Sequence, residues 1–353
     1  MKVFVNAYLE NNLGDDLFFE ILKNRYKGNK FYVMSSSVEK EKDVVVYKNK
    51  FFNKIIQKFE LKKLLANKCD IIVSIGGSIY MEPKNNANKK FFLGNKPYYV
   101  LGSNFGPYYT DTYYKNAHKF FEGAEDVCFR DKYSHNLFSD ISVVRHAPDI
   151  IFSLNTGKLG KMANTKKATF SIISCKDKLD VKYEEKYIEA ITDMTKELIS
   201  KGYEITYMSF CKNENDELAI EQILEKLDSN TKEKIEKYYY RGNIKEALNV
   251  LNNSDIIVGT RFHATILGIL LNKAVIPIIY SDKTKHTLED LKFEGKTVDI
   301  RQLDKYNVKE LLSEENISYR LDIEKVRKEA ETQFSKLDEV LKKEQKWTEK
   351  NYW

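Results

Sequence analysis

The sequence holds little of what staples small secreted folds. It has 4 cysteines in 353 residues, Cys69, Cys128, Cys175 and Cys211, each in or beside an apolar run and none in C-x-x-C spacing. That excludes a disulfide scaffold and a zinc ribbon or finger, and it fits reduced thiols used as small hydrophobes. No metal site is expected. No apolar stretch nears the roughly 20 residues that cross a bilayer. The first strand-like run reaches Glu10 and Asn11 too soon for a secretory leader. Charge of one sign is also scarce: 58 Lys and Arg stand against 52 Asp and Glu, a formal +6. Over this length that is too small for a nucleic-acid footprint. A soluble, cytoplasmic protein is expected, with no nucleic-acid partner. Much of the slight basic excess reads as lysine used as surface filler; the remainder suits an anionic substrate or a peripheral association with an anionic membrane face.

What is present is a globular composition. Hydrophobic residues make up 42% and aromatics 13%, with 23 Tyr and 20 Phe, enough for packed cores and against disorder. The length suits two domains. Short β-rich runs recur at 2–8, 31–34, 44–47, 70–75, 98–101, 127–129 and 143–144. They resume at 169–174, 204–210, 238–240, 256–258, 275–280 and 297–300. Helical periodicity fills many of the gaps, as at 16–26, 61–67, 183–200, 217–227 and 244–252, and such alternation predicts parallel α/β sheets. The polar, aperiodic segment 156–168 reads as a linker between an N-terminal domain, 1–155, and a C-terminal domain, 169–320. Residues 321–353 read as a helical tail with one long amphipathic helix. The expected architecture is two α/β domains whose parallel sheets face a central cleft, since open α/β sheets bind ligands at the carboxyl ends of their strands.

Three groups of residues carry chemistry. The first runs from Ile256 through Gly259, Thr260, Arg261 and His263 to Gly268: a buried strand followed by a helix that Thr260 is placed to cap. A helix N-terminus attracts anions. Arg261 can grip phosphate or carboxylate in two-pronged fashion, and an anion nearby would favour a protonated, acidic His263. The competing reading is a capping threonine, a solvated arginine and a hydrogen-bonded histidine. The second group is Phe129-Arg130-Asp131, where a strand delivers Arg130 at its carboxyl end, either to hold an anion or to pair with Asp131. The third is a set of glycine turns after strands: Asn12 and Gly14 with Asp15 and Asp16, then Gly76-Gly77-Ser78, then Gly102-Ser103-Asn104-Phe105-Gly106. Glycine lets backbone N–H groups approach a ligand, and tight turns explain each one equally well. Asp15 and Asp16 read as helix-start carboxylates rather than metal ligands. Lys283 follows a strand and can neutralise phosphate, or can be a plain surface lysine.

Taken in order, these segments resemble the polysaccharide pyruvyltransferase family. The matching pieces are N-x-G-D-D at Asn12–Asp16, Ile75-Gly76-Gly77, the G-x-x-x-G-P turn from Gly102 to Pro107, F-R-D-x-x-S from Phe129, Ala147-Pro148-Asp149, and G-T-R-x-H-A from Gly259. The resemblance implies two Rossmann-like domains arranged as in B-type glycosyltransferases. It also implies transfer of the pyruvyl group of phosphoenolpyruvate to two hydroxyls of a sugar or lipid-linked glycan, with a surface polysaccharide as the destination. No cofactor is implied beyond this donor substrate. Arg130, Arg261 and His263 match positions tied to donor binding and catalysis, with Thr260 and Lys283 beside them. Lys283 follows Asp282 where the family has proline. The glycine turns, Asn12 through Asp16, Gly76 through Ser78, and Gly102, Asn104 and Gly106, would face the acceptor. Ser103-Asn104 stands where Gln-Gly is usual. A nucleotide-sugar glycosyltransferase, or a non-catalytic sugar-binding protein of the same fold, is the alternative.

Overall fold

Strands apolar on both faces must be covered on both faces, and the parallel sheets of this chain follow that rule. The computed structural model describes residues 1–48, 55–84, 91, 95–157, 159–160, 165–175 and 182–350. Within the segment read as a linker, residues 158 and 161–164 lie outside the described residues.

Two parallel sheets result. The first contains β1 (Lys2–Asn6), β2 (Lys30–Met34), β3 (Val44–Tyr47), β4 (Ile71–Ile75), β5 (Tyr98–Ser103), β6 (Asp126–Phe129) and β7 (Val144–His146), in the order β3-β2-β1-β4-β5-β6-β7. The second contains β8 (Lys167–Ser171), β9 (Glu204–Ser209), β10 (Ile235–Tyr239), β11 (Ile256–Gly259), β12 (Ala274–Ile279) and β13 (Val298–Asp299), ordered β10-β9-β8-β11-β12-β13. Both orders are doubly wound, starting in the middle, growing to one side and then switching to the other. The switch falls between β1 and β4 in the first sheet and between β8 and β11 in the second. Every residue of β4 and of β11 is buried.

The start of one strand departs from its sequence reading for a physical reason. β10 begins at Ile235, earlier than the apolar run at 238–240, and takes in exposed Glu236 and Lys237. It is an edge strand paired only to β9 in the sheet order, so its pairing does not demand apolar residues, and charge protects its open side.

The chain divides into two compact units. One comprises Met1–Glu10, Asp15–Leu154 and Lys325–Trp353; the other comprises Asn11–Gly14 and Asn155–Glu324. The core of the first is aromatic: Phe105, Phe121 and Phe129 all pack on Phe138, with centroid distances of 4.9, 4.9 and 5.8 Å. The second is mainly aliphatic, built on Phe170, Ile172, Ile205, Val258 and Ile276.

The C-terminal segment is not one uninterrupted helix. Helices Glu324–Glu331 and Ser335–Lys350 flank a 3-10 turn, Thr332–Phe334. The turn lets two sequence neighbours, Gln333 and Phe334, both be fully buried. Gln333 donates to the carbonyls of Ala147 (2.8 Å) and Pro148 (3.1 Å) and accepts from the Gly102 N–H (3.0 Å). Asp338 receives Arg25 through two bonds of 2.9 and 2.7 Å and the Tyr26 hydroxyl at 2.7 Å.

Candidate functional site

In the second unit the residues gather at the switch point of its sheet. β11 ends at Gly259, where a Cβ would meet Thr265 Oγ1 at 2.6 Å, so only glycine lets the helix Phe262–Leu270 start this close. Thr260 does not cap that helix. Its hydroxyl bonds the buried Tyr187 hydroxyl at 3.0 Å, and the N-cap position belongs to Arg261, whose own side chain makes no capping hydrogen bond. The Arg261 N–H is held by Ser171 Oγ at 3.0 Å. Thr260 thus fastens the end of β11 to Tyr187, which is itself fully enclosed.

The Arg261 guanidinium lies among carboxylates. It donates through Nε (3.0 Å) and Nη2 to Asp216 and through Nη1 (2.6 Å) to Glu214. Burial works against its charge, but Asp216 and Glu214 outweigh burial and hold it protonated well above the ordinary arginine value. Asp216 also accepts the backbone N–H groups of Phe210 (3.1 Å) and Cys211 (3.0 Å). Burial pushes the neighbouring Cys211 thiol up to about 11, leaving it inert.

The N-terminal turn joins this cluster. Asn12 pairs with Cys211 in an antiparallel bridge and donates to Glu214 at 3.3 Å, and the Leu13 N–H reaches the Phe210 carbonyl at 3.2 Å. Gly14 packs directly on His263: a Cβ there would fall 1.7 Å from Nδ1 and 2.4 Å from Cε1. Two motifs far apart in sequence thus meet at one imidazole. Lys283 Nζ sits 5.8 Å from the Tyr280 ring centre, and Tyr280 contributes to the charge environment of Arg261.

In the first unit a polar network underlies the glycine turns. Arg130 is 2% exposed. It donates to Asp149 through Nη1 at 2.9 Å and to Asn104 Oδ1 through Nη2 at 2.7 Å. Asn104 in turn accepts from the Ser78 hydroxyl (3.3 Å), while its N–H donates to the Gly77 carbonyl (2.8 Å) and its Nδ2 to the Gly106 carbonyl (3.4 Å). Gly77 needs its bare α-carbon, since a Cβ would lie 2.4 Å from Arg130 Nη1. Burial pushes the Asp149 carboxyl up, against the pull of Arg130. Asp131 caps the helix Lys132–Leu137 by accepting the Ser134 N–H at 2.7 Å. The Arg130 guanidinium is thus held by both Asp149 and Asn104. Gly102 is also closely packed. It is buried against Ile150, whose Cδ1 would stand 2.6 Å from a Cβ, and its N–H is taken by Gln333. Asp15 and Asp16 lie in the first turn of the helix Leu13–Arg25, as dipole partners do, with Asp15 Oδ1 3.3 Å from the Cβ position of Gly76.

Residues 12–282 match the polysaccharide pyruvyl transferase family. The chain belongs to that family. The matched stretch opens at Asn12 and closes one residue short of Lys283, so Lys283 alone of the named site residues falls outside it. Solved structures similar to this pyruvyl transferase chain include a UDP-GlcNAc 2-epimerase of Methanocaldococcus jannaschii, 12% identical over 93% of this chain and 97% of that one, with a TM-score of 0.56. A wall teichoic acid polymerase is 13% identical over 99% and 90% of the two chains, TM-score 0.52. A glycosyltransferase of Rickettsia africae is 14% identical over 98% and 97%, TM-score 0.50. At such identities these likenesses show the fold, the two Rossmann-like domains of B-type glycosyltransferases, and nothing finer. Among the described residues no His, Cys, Asp and Glu gather as three or more candidate metal ligands, and no helix is long and apolar enough to cross a membrane.

Two members of these polar clusters were not singled out in the sequence. Glu214 and Asp216 sit in an acidic run after β9 that is indistinguishable by composition from solvated surface. Asp149 stood in a noted motif, but its partner is set by tertiary pairing.

Proposed function

We propose that this transferase moves the carboxyethylidene unit of phosphoenolpyruvate onto two hydroxyls of a sugar in a surface polysaccharide or its lipid-linked precursor, forming a cyclic ketal and releasing phosphate. The supporting observation is the seating of His263 against Gly14 beside Arg261, at the start of the helix Phe262–Leu270 and at the switch point of its sheet. A small donor with phosphate and carboxylate groups suits a guanidinium, a helix N-terminus and the nearby Lys283 ammonium.

In this mechanism Arg261 and Lys283 neutralise the donor anions. His263 donates a proton to the methylene carbon, which becomes the methyl group, and positive charge develops at the central carbon. One sugar hydroxyl bonds to that carbon and returns its proton to His263. The second hydroxyl then forms the other C–O bond as the C–O bond to phosphate breaks, its proton leaving with the phosphate. The glycine turns at Gly76–Ser78 and Asn104–Gly106 offer backbone groups for the acceptor, with Arg130 and Asp149 fixing their shape. Asp15 or Asp16 would orient an acceptor hydroxyl.

The test is incubation of the full chain with phosphoenolpyruvate and a panel of glycans. The expected result is one released phosphate for each glycan that gains the mass of pyruvate less water. Glycan extension from a UDP- or CMP-sugar, with phosphoenolpyruvate inert, would replace this reading with glycosyl transfer.

A further inference from the structure

The mechanism leaves two acidic residues on Arg261 unexplained. A guanidinium held by two carboxylates has its N–H groups occupied before any donor arrives. The two acids are not equivalent. Asp216 is fully buried and bound to two backbone N–H groups as well as to Nε and Nη2 of Arg261. Removing its charge would strand those donors away from water. The Glu214 side chain is 30% exposed, and its bonds to Arg261 Nη1 and Asn12 Nδ2 are ones that water can replace. Glu214 closes a three-residue 3-10 turn, Lys212–Glu214, and Asn215 follows in the left-handed region at φ 61°, so a short polar segment carries it.

We infer that Glu214 is an internal competitor of the donor: it occupies Arg261 Nη1 until a phosphate or carboxylate group takes its place, while Asp216 keeps the guanidinium aimed. This deepens the donor reading above and rests on it. Glu214 and the incoming anion want the same N–H groups, so only one can hold them. Displacement also releases the Asn12 amide, which links Glu214 to the turn that carries Gly14, since Asn12 Oδ1 accepts the Gly14 N–H at 3.2 Å. Donor arrival would therefore be felt at the turn packed on His263. Anions that cannot outcompete a carboxylate would be turned away, which makes Glu214 a selectivity element.

The decisive experiment is calorimetric titration of the full chain with inorganic phosphate and, separately, with phosphoenolpyruvate. Glu214→Gln should bind both on the order of tenfold more tightly than the natural protein, the effect expected from removing a close competing charge. Glu214→Ala should do the same. Asp216→Asn should weaken both, and adding Arg261→Ala to Glu214→Gln should erase the gain. Unchanged or weaker phosphate binding in both Glu214 variants, with their melting temperature preserved, overturns the proposal. Tighter phosphate binding with no phosphoenolpyruvate binding in any protein upholds the competitor and removes phosphoenolpyruvate as the donor.

Discussion

A methyl group added at Gly14 would meet the His263 imidazole at 1.7 Å, far inside van der Waals contact, and the ring would have to move. Misplacing a catalytic group by about an ångström costs on the order of 10²-fold in rate. Gly14→Ala should therefore lower turnover by that factor while leaving phosphoenolpyruvate affinity within a few-fold, as steady-state kinetics and titration would report. His263→Gln should cost about 10²–10⁴-fold, the usual contribution of general acid catalysis, again with donor binding retained. Full activity in the purified His263→Gln protein would remove the acid assignment. At this scale the sequence was half legible. The helix-start placement of Arg261 and His263 follows from a buried strand running into a helix. The nearness of Gly14, about 250 residues away along the chain, does not, because local pattern carries no information on which distant turn fills a gap.

Among the elements, the buried strands were readable because double-sided burial demands continuous apolar residues, and β4 and β11 obey it. The edge strand β10 hid its beginning because charge is tolerated there. Partner choice was less legible still. Arg130 and Asp131 are adjacent, yet successive residues diverge, so Asp131 turns to cap a helix and Arg130 finds Asp149. Breaking a buried pair by removing one partner leaves an uncompensated charge, typically a loss of about 3–5 kcal/mol. Asp149→Ala should show that loss in denaturant unfolding and loosen the Gly77 turn with it. The C-terminal helix gives a pH signature. Burial pushes the Asp338 carboxyl up, but Arg25, Lys342 and Tyr26 together hold it below the ordinary range. A carboxyl depressed in the folded state contributes stability above its unfolded value of about 3.9 and loses that contribution as pH falls through the folded value. Melting temperature should accordingly drop more steeply below about pH 4 in the natural protein than in Asp338→Asn.

For the molecule as a whole, the informative feature is that sequence order and spatial unit do not coincide. Lys325–Trp353 belongs with the first sheet, and Asn11–Gly14 belongs with the second. Ending the chain at Glu324 should strip Gly102, Arg25 and Tyr26 of their partners, Gln333 and Asp338. Amide hydrogen exchange should then rise in β5 and in the helix Leu13–Arg25, while β8, β9 and β11 keep their protection. Equal loss in both sheets would refute the separation.

The same arrangement bears on how the protein matures during translation. Synthesis runs from the N-terminus at about 5–20 residues per second. The N-terminal sheet is made first but lacks its final helices until the last part of the chain emerges. The second sheet has all its strands, and the early turn it borrows, once Glu324 has been made. The half that is born first is thus the half that finishes last. Until then Tyr26, Arg25 and Gly102 wait for the partners that Phe334, Asp338 and Gln333 supply.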